Sequence, residues 1–217
     1  FQTTLAHARQ VEHVDYDVVA HLKITALKAI FDVFDARYLR KNTKQNKAFK
    51  AFVSEGGESL DMLAVYDALQ SHLKEDGKES WGWPVFPEQY KDYHNPAVAK
   101  FKKAHGKEVK FYLFLQWIAA QQLEASSQKA KDCGMTIGLY RDLAVGVSEG
   151  SAEIWGNKDL YCTNASVGAP PDVLGPLGQN WGLPPMDPRK LYEQAYQPII
   201  DLFAAIWHRL AHFASTM

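Results

Sequence analysis

Five carboxylates in one stretch, Asp142, Glu149, Glu153, Asp159 and Asp172, are the residues of this chain best suited to chemistry. Carboxyls on opposite sides of a bond divide the work: one attacks or activates water, the other gives and takes a proton. Spacing alone selects no pair among the five. Asp142 stands out by position. Met135-Thr136-Ile137-Gly138-Leu139-Tyr140 reads as a short buried strand after a helix, and a carboxylate at a strand's C-terminal end fits the working face of a β/α barrel. An Arg141–Asp142 ion pair or a loop cap explains the same residue equally well.

Aromatic residues form the second group. Trp81-Gly82-Trp83-Pro84-Val85-Phe86-Pro87 is a loop by composition, since two prolines and a glycine disfavour a regular element. Stacked aromatics bind sugar faces, but such a loop more often plugs the edge of a core. Other chemistries lack their signatures. The eight histidines are scattered, the serines form no nucleophile elbow, and no glycine-rich loop cradles phosphate. Cys133 and Cys162 belong to no C-x-x-C and have no histidine at ligand spacing, so they read as free thiols of a reducing compartment.

The elements that must hold these groups divide near Gly134. Before it the periodicity is helical. Asp15 is a fitting N-cap for a helix through about Leu39, with Val18, Val19, Leu22, Ala26, Ile30 and Phe34 on its apolar side. Ser59 suits the cap of a second helix carrying Leu63, Tyr66, Leu69 and Leu73, with Gly77 near its end. A third runs from about Glu108 to Lys131, with Tyr112, Leu115, Ala119 and Leu123 on one face. After Gly134 the texture changes: residues 142–190 hold six of the ten prolines and seven of the fourteen glycines. Long irregular segments in compact proteins are usually functional or disordered, and Trp155, Leu160, Tyr161, Val167 and Trp181 argue for an ordered functional loop. Asp187-Pro188 then signals a helix start, and Pro198 forces a break or kink partway along that helix.

The 217 residues, 47% hydrophobic, suffice for the core of one or two domains. Charge is balanced at 24 basic and 25 acidic residues, and no basic run exceeds Arg40-Lys41 or Lys102-Lys103, which speaks against nucleic acid as a partner. No apolar run approaches the ~20 residues of a membrane span. Phe1–Arg9 has neither a charged n-region nor an apolar stretch and lacks an initiator methionine, as expected of an internal start.

Three long motifs carry a family resemblance. Ile137-Gly138-Leu139-Tyr140-Arg141-Asp142-Leu143-Ala144-Val145-Gly146-Val147 is the first. Ala165-Ser166-Val167-Gly168-Ala169-Pro170-Pro171-Asp172 comes second, and Gly175-Pro176-Leu177-Gly178-Gln179-Asn180-Trp181-Gly182-Leu183-Pro184-Pro185 third. In this order they closely resemble the bacterial 4-alpha-glucanotransferases (amylomaltases, glycoside hydrolase family 77). Weaker likeness in Phe111–Trp117 and in the Trp81–Pro87 loop extends it over nearly the whole chain, up to about Phe203.

The resemblance implies a (β/α)8 TIM-barrel enzyme with added helical subdomains. Such an enzyme cleaves an α-1,4-glucan, holds one part as a covalent glycosyl-enzyme, and passes it to another sugar. It implies a cytoplasmic protein of maltodextrin and glycogen metabolism, a maltooligosaccharide partner, no organic cofactor and no obligatory metal. Asp142 resembles a substrate-contacting aspartate, Gln179 and Trp181 resemble donor-subsite residues, and Asp172 lies in a loop expected to overhang the cleft. An amide and a carboxylate grip sugar hydroxyls directionally, while an indole face covers the apolar side of a pyranose.

The family's nucleophile segment, Arg-Ile-Asp-His, and its later acid/base motif do not occur in these residues. No catalytic residue is therefore assigned, and the chain alone is expected to be inactive. The tail Ala204–Met217 departs from the family pattern. One permitted set of codons for it, read one base out of frame, spells Arg-Asn-Met-Ala-Ser-Leu-Gly-Ala-Leu-Arg-Ile-Asp-His, which points to a frameshift near Ala204.

The expected architecture is thus mostly α with few short strands: a helical subdomain plus an incomplete piece of the barrel. Residues 1–133 form helices, 134–203 a barrel strand, active-site loop and following helix, and 204–217 an aberrant tail. Uncovered strand edges and apolar helix faces predict self-association, or a helix-dominated compact remnant, rather than a well-behaved monomer. Two other readings remain open at this point: a non-catalytic carbohydrate-binding module, motivated by Trp81, Trp83, Trp155 and Trp181, and a helical interaction scaffold.

Overall fold

The computed structural model describes residues 1–139, 142–144 and 146–211, the side chains of 205–211 excepted. It is mostly helical. In chain order come α1 (Gln2–Ala8), α2 (Tyr16–Phe34), α3 (Lys44–Glu75), α4 (Pro96–Ala104), α5 (Gly106–Asp132) and α6 (Ala152–Gly156). Two short strands come next, β1 (Val167–Ala169) and β2 (Gln179–Leu183), and then α7 (Pro188–Glu193) and α8 (Gln197–Ala211).

Local chemistry sets the helix ends. Asp15 caps α2, its Oδ1 accepting from the Val18 amide at 3.0 Å. A π-helical turn, Asp35–Leu39, continues α2 to the expected end. Thr43, not Ser59, caps α3, with Oγ1 accepting from the Asn46 amide at 3.1 Å. Gly57, at φ +53°, breaks α3 into two helices just before Ser59, which is why the pattern there reads as a fresh start. Gly134 closes α5 in the left-handed region, with Gly134 donating to the Lys131 carbonyl at 2.8 Å and Met135 to Ala130 at 3.1 Å.

The core lies where α5 packs against α3 and α2. Phe31, Phe34, Phe49, Phe111, Phe114 and Trp117 form its aromatic centre. Phe34 stands 4.9 Å from Phe114 and 5.2 Å from Trp117, centroid to centroid. Two expected faces need correction. Ile30 is exposed, and Phe31 with Phe34 forms the buried side of α2. On α5 the buried residues include Val109, Phe111, Leu113, Phe114 and Trp117, while Tyr112 and Leu115 are half-buried and Ala119 is exposed. A helix pressed from two sides has no single apolar stripe, so periodicity alone misplaces its inner face.

A smaller cluster of Ile154, Leu160 and Tyr161 packs with Val147, Met186 and Leu191. The aromatic loop joins the two clusters, and most of it is structural. Phe86 is buried, and Trp83 packs on both clusters while its Nε1 donates to the Glu149 carbonyl at 2.6 Å. Tyr66, inside α3, completes the clamp: its hydroxyl donates to the Gly150 carbonyl and accepts from the Trp83 amide. Burial pushes that phenol up to about 12, so it stays a donor at any ordinary pH.

The strand expected over Met135–Tyr140 is not formed in residues 135–139; Tyr140 and Arg141 lie outside the described residues. The segment runs with Met135 and Ile137 exposed and, among the described residues, has no backbone beside it to complete a ladder. The irregular segment after it holds the small α6 and the β1–β2 pair. Pro198 sits in the first turn of α8, and the break precedes it, where Ala195 (φ +50°) and Tyr196 (φ +60°) close α7. The expected tail boundary at Ala204 falls within α8.

Candidate substrate-binding site

The β1–β2 hairpin places two of the four expected site residues in contact. Gln179 and Trp181 are two apart on β2, so both side chains leave the same face of the strand. The Trp181 indole Nε1 donates to Gln179 Oε1 at 2.9 Å. That bond uses one lone pair of the amide oxygen and leaves the NH₂ group to donate elsewhere. The indole stays 52% exposed, which is high for a tryptophan whose polar atom is already satisfied.

The opposite face holds this arrangement in place. Asn180 Oδ1 accepts from Ser166 Oγ at 2.6 Å and from the Gly182 amide at 2.9 Å. Pairing is antiparallel, Val167 with Leu183 and Gly168 with Asn180, with an irregularity between Val167 and Gly168 that admits Gly182 at φ +66°. Gly168 is the tightest point: a Cβ there would run into the Gln179 carbonyl oxygen. A side chain at that position would prise the strands apart. Sequence reasoning singles out neither Asn180 nor Gly168, although the alternation Gln179, Trp181 against Asn180 is the signal from which two faces follow.

Asp172 lies in the connection between the strands. Its Oδ1 accepts from the amides of Leu174 at 2.9 Å and Gly175 at 2.5 Å, and its own amide donates to the Gly175 carbonyl. This is a turn built by its own aspartate. It presents Val173, Leu174 and Leu177 almost fully to solvent. Asp142 is exposed and belongs to the preceding segment, which touches the hairpin at Gly146: a Cβ there would lie 2.9 Å from Leu183 Cδ1. Among the described residues no hydrogen bond links Asp142 to Asp172, Gln179 or Trp181. The alternative Arg141–Asp142 ion pair falls outside the described residues.

Two further carboxylates of this segment have local partners. Glu153 accepts from Asn157 Nδ2 at 3.0 Å, and Asp187 caps α7 through the Arg189 amide at 2.8 Å. Trp155 is 1% exposed and donates its Nε1 to the Tyr90 carbonyl, so it is a core residue. The arrangement on the hairpin suits binding: an exposed apolar plate beside a fixed amide donor.

A family model described as 4-alpha-glucanotransferase matches residues 1–213. Among curated proteins, the 4-alpha-glucanotransferase of Haemophilus influenzae is 38% identical over 213 residues, covering 94% of this chain and 30% of that protein. That of Mycobacterium tuberculosis H37Rv is 33% identical over 199 residues, covering 92% and 26%. The chain therefore spans about a quarter to a third of the length of these relatives. Among solved structures, the amylomaltase of Corynebacterium glutamicum superposes with a TM-score of 0.65 at 30% identity, covering 89% of this chain and 24% of that one. The amylomaltase of Streptococcus agalactiae, solved in complex with acarbose, superposes at 0.75 over 88% and 38%, and at 18% identity it bears on fold alone. With the family model running from the first helix into the last, this chain belongs to the 4-alpha-glucanotransferase family.

Proposed function

We propose that this chain forms part of the glucan cleft of a retaining 4-alpha-glucanotransferase, with Gln179 and Trp181 at a donor subsite. The observation that carries the reading is the exposed Trp181 indole locked to the Gln179 amide on one face of β2. A pyranose ring has an apolar face to lie on the indole and equatorial hydroxyls to receive the amide's N–H groups. Asp142 and the Asp172 turn would border the same cleft, Asp172 through its remaining oxygen.

On this reading residues 1–133 are helical subdomain and barrel helices, and 134–203 supply a barrel strand position, the cleft loop and a helix. The Met135–Tyr140 segment would become a strand only with neighbouring strands beside it. The glycosyl-enzyme needs a carboxylate to carry it and a second to shuttle the proton, and the family segments bearing them are not among these residues. Incubation of the chain with maltotriose, followed by chromatography, should show neither glucose nor longer oligomers. Sustained disproportionation by the chain alone would refute the division of labour. The frameshift proposed for residues 204–217 is read directly from the encoding DNA; codons unable to yield Arg-Ile-Asp-His in a shifted frame dispose of it.

The two-stranded hairpin has open edges, and Leu174, Leu177, Ile200 and Phe203 are exposed. Self-association of the chain follows from these surfaces. Sedimentation velocity should show a weight-average mass that rises with concentration; a single monomer boundary throughout would count against it.

A further inference from the structure

Trp81 behaves differently from the other aromatics of its loop. It is 61% exposed, yet it is not loose. A Cβ on Gly150 would stand 2.9 Å from Cζ3 and 3.1 Å from Cε3 of the indole, so the ring is seated on that glycine's backbone. Gly82 approaches Gly150 as closely: a Cβ on Gly82 would lie 2.7 Å from the Gly150 Cα. Two glycines and the Tyr66 clamp therefore hold an indole outward.

The ring borders a cleft of about 750 Å³ between the loop, α3 and α5. Asp67, Gln70 and Ser71 line it from one face of α3, and Tyr112 lines it from α5. Gln70 Nε2 donates to the Ser80 carbonyl at 2.6 Å, tying the loop to the helix and leaving the amide oxygen as an acceptor. Asp67 is half-buried with no ion pair or hydrogen bond to its carboxyl among the described residues, and desolvation pushes it up to about 6. A half-buried carboxyl at a cleft wall is open to a ligand that brings donors to it.

The charges argue for a neutral ligand. Lys74 and Lys78 also reach the cleft, but they lie beside Asp17 at 4.0 Å and Asp76 at 3.2 Å. With both cations accompanied and Asp67 facing inward, an anionic ligand gains little and meets a carboxylate. A polyol carries donors for Asp67 and Gln70, and a pyranose adds an apolar face for the indole.

We propose that this cleft is a second maltooligosaccharide-binding site, separate from the β2 hairpin, with Trp81 as stacking platform and Asp67 as acceptor of sugar hydroxyls. The proposal rests on the glucan reading for its ligand, but it uses none of the hairpin residues. Its role is to hold a glucan chain on the helical part of the protein.

The test is a titration of the chain with maltoheptaose, followed by the indole N–H signals of its tryptophans, each assigned by substitution to phenylalanine. The Trp81 signal should shift saturably. Asp67→Asn should weaken the affinity it reports by about tenfold, since a charged acceptor is exchanged for a neutral one. Trp181→Ala should leave the Trp81 titration unchanged. A Trp181 signal that moves while Trp81 stays still would overturn this site and keep the hairpin reading. Both signals unmoved would overturn both. A Trp81 shift reproduced by equal masses of glycerol, or full affinity in Asp67→Asn with native circular dichroism, would also overturn the second site.

Discussion

The helical part and the hairpin treat the same residue type in opposite ways. In the first, Trp117 lies among Phe34, Phe49 and Phe114 at ring distances of 5.2–6.2 Å and is 6% exposed. In the second, Trp181 stands 52% exposed on a strand whose residues are otherwise exposed or half-buried. Trp117 is placed by what surrounds it and has no surface left for a ligand. Trp181 is placed by its backbone and one hydrogen bond, which leaves its face free. Trp117 and Trp181 thus sit in different settings, and each should be replaceable with little effect on the other.

The largest effect should come from the packed side. Trp117→Ala removes the ring on which α2, α3 and α5 converge and should cost about 3–5 kcal/mol. Chemical denaturation measures it, and a loss below about 1 kcal/mol would mean that the aromatic centre is not the main support. Next comes Gly168→Ala. Its methyl group would enter the space of the Gln179 carbonyl and should destabilise the hairpin by roughly 1–3 kcal/mol. Hydrogen exchange should show lost protection in Val167–Ala169 and Gln179–Leu183, with α3 and α5 unchanged; loss spreading into α5 would erase the distinction between the regions.

Asp67 offers a change of opposite sign. Its carboxyl is raised from 3.8 to about 6, so the folded state binds the proton more tightly than the unfolded chain. Stability therefore falls as pH rises between these values, and the neutral isostere in Asp67→Asn should remove that fall. The gain above pH 6 is at most about 3 kcal/mol and on the order of 1–2 after solvent screening. Thermal melts at pH 4 and pH 7 measure it; an unchanged difference between the two would place Asp67 in water. The smallest effect belongs to Trp181→Ala, within about 0.5 kcal/mol of the parent because little is buried. Maltooligosaccharide binding reported from the hairpin should be lost all the same. A large drop in melting temperature would reveal a packing role.

Much of the fold is legible where local chemistry is strong. Asp15 and Asp187 cap helices as their types suggest, and Gly77 and Gly134 end them in the left-handed region. The helix starting at Thr43 escapes a reading by pattern because Gly57 interrupts its periodicity. The inner face of α5 escapes it because neighbours press on more than one side. Of the site, Gln179 and Trp181 are marked by motif, and their contact follows from strand periodicity. The cleft beside Trp81 is not legible, since Asp67 and Tyr112 are far apart in sequence and meet only through helix packing.

The amino-acid order by itself determined the mostly helical character, the change of texture at Gly134, the family resemblance and the capping of individual helices. These depend on side chains acting on backbone a few residues away, or on strings long enough to be distinctive. Tertiary structure decided which tryptophans are buried and which are offered to solvent. It decided that Asp172 builds a turn, and that Met135–Leu139 is not a strand. Each of these outcomes depends on a distant neighbour, a strand to pair with or a ring to pack against, which residue type and spacing do not specify.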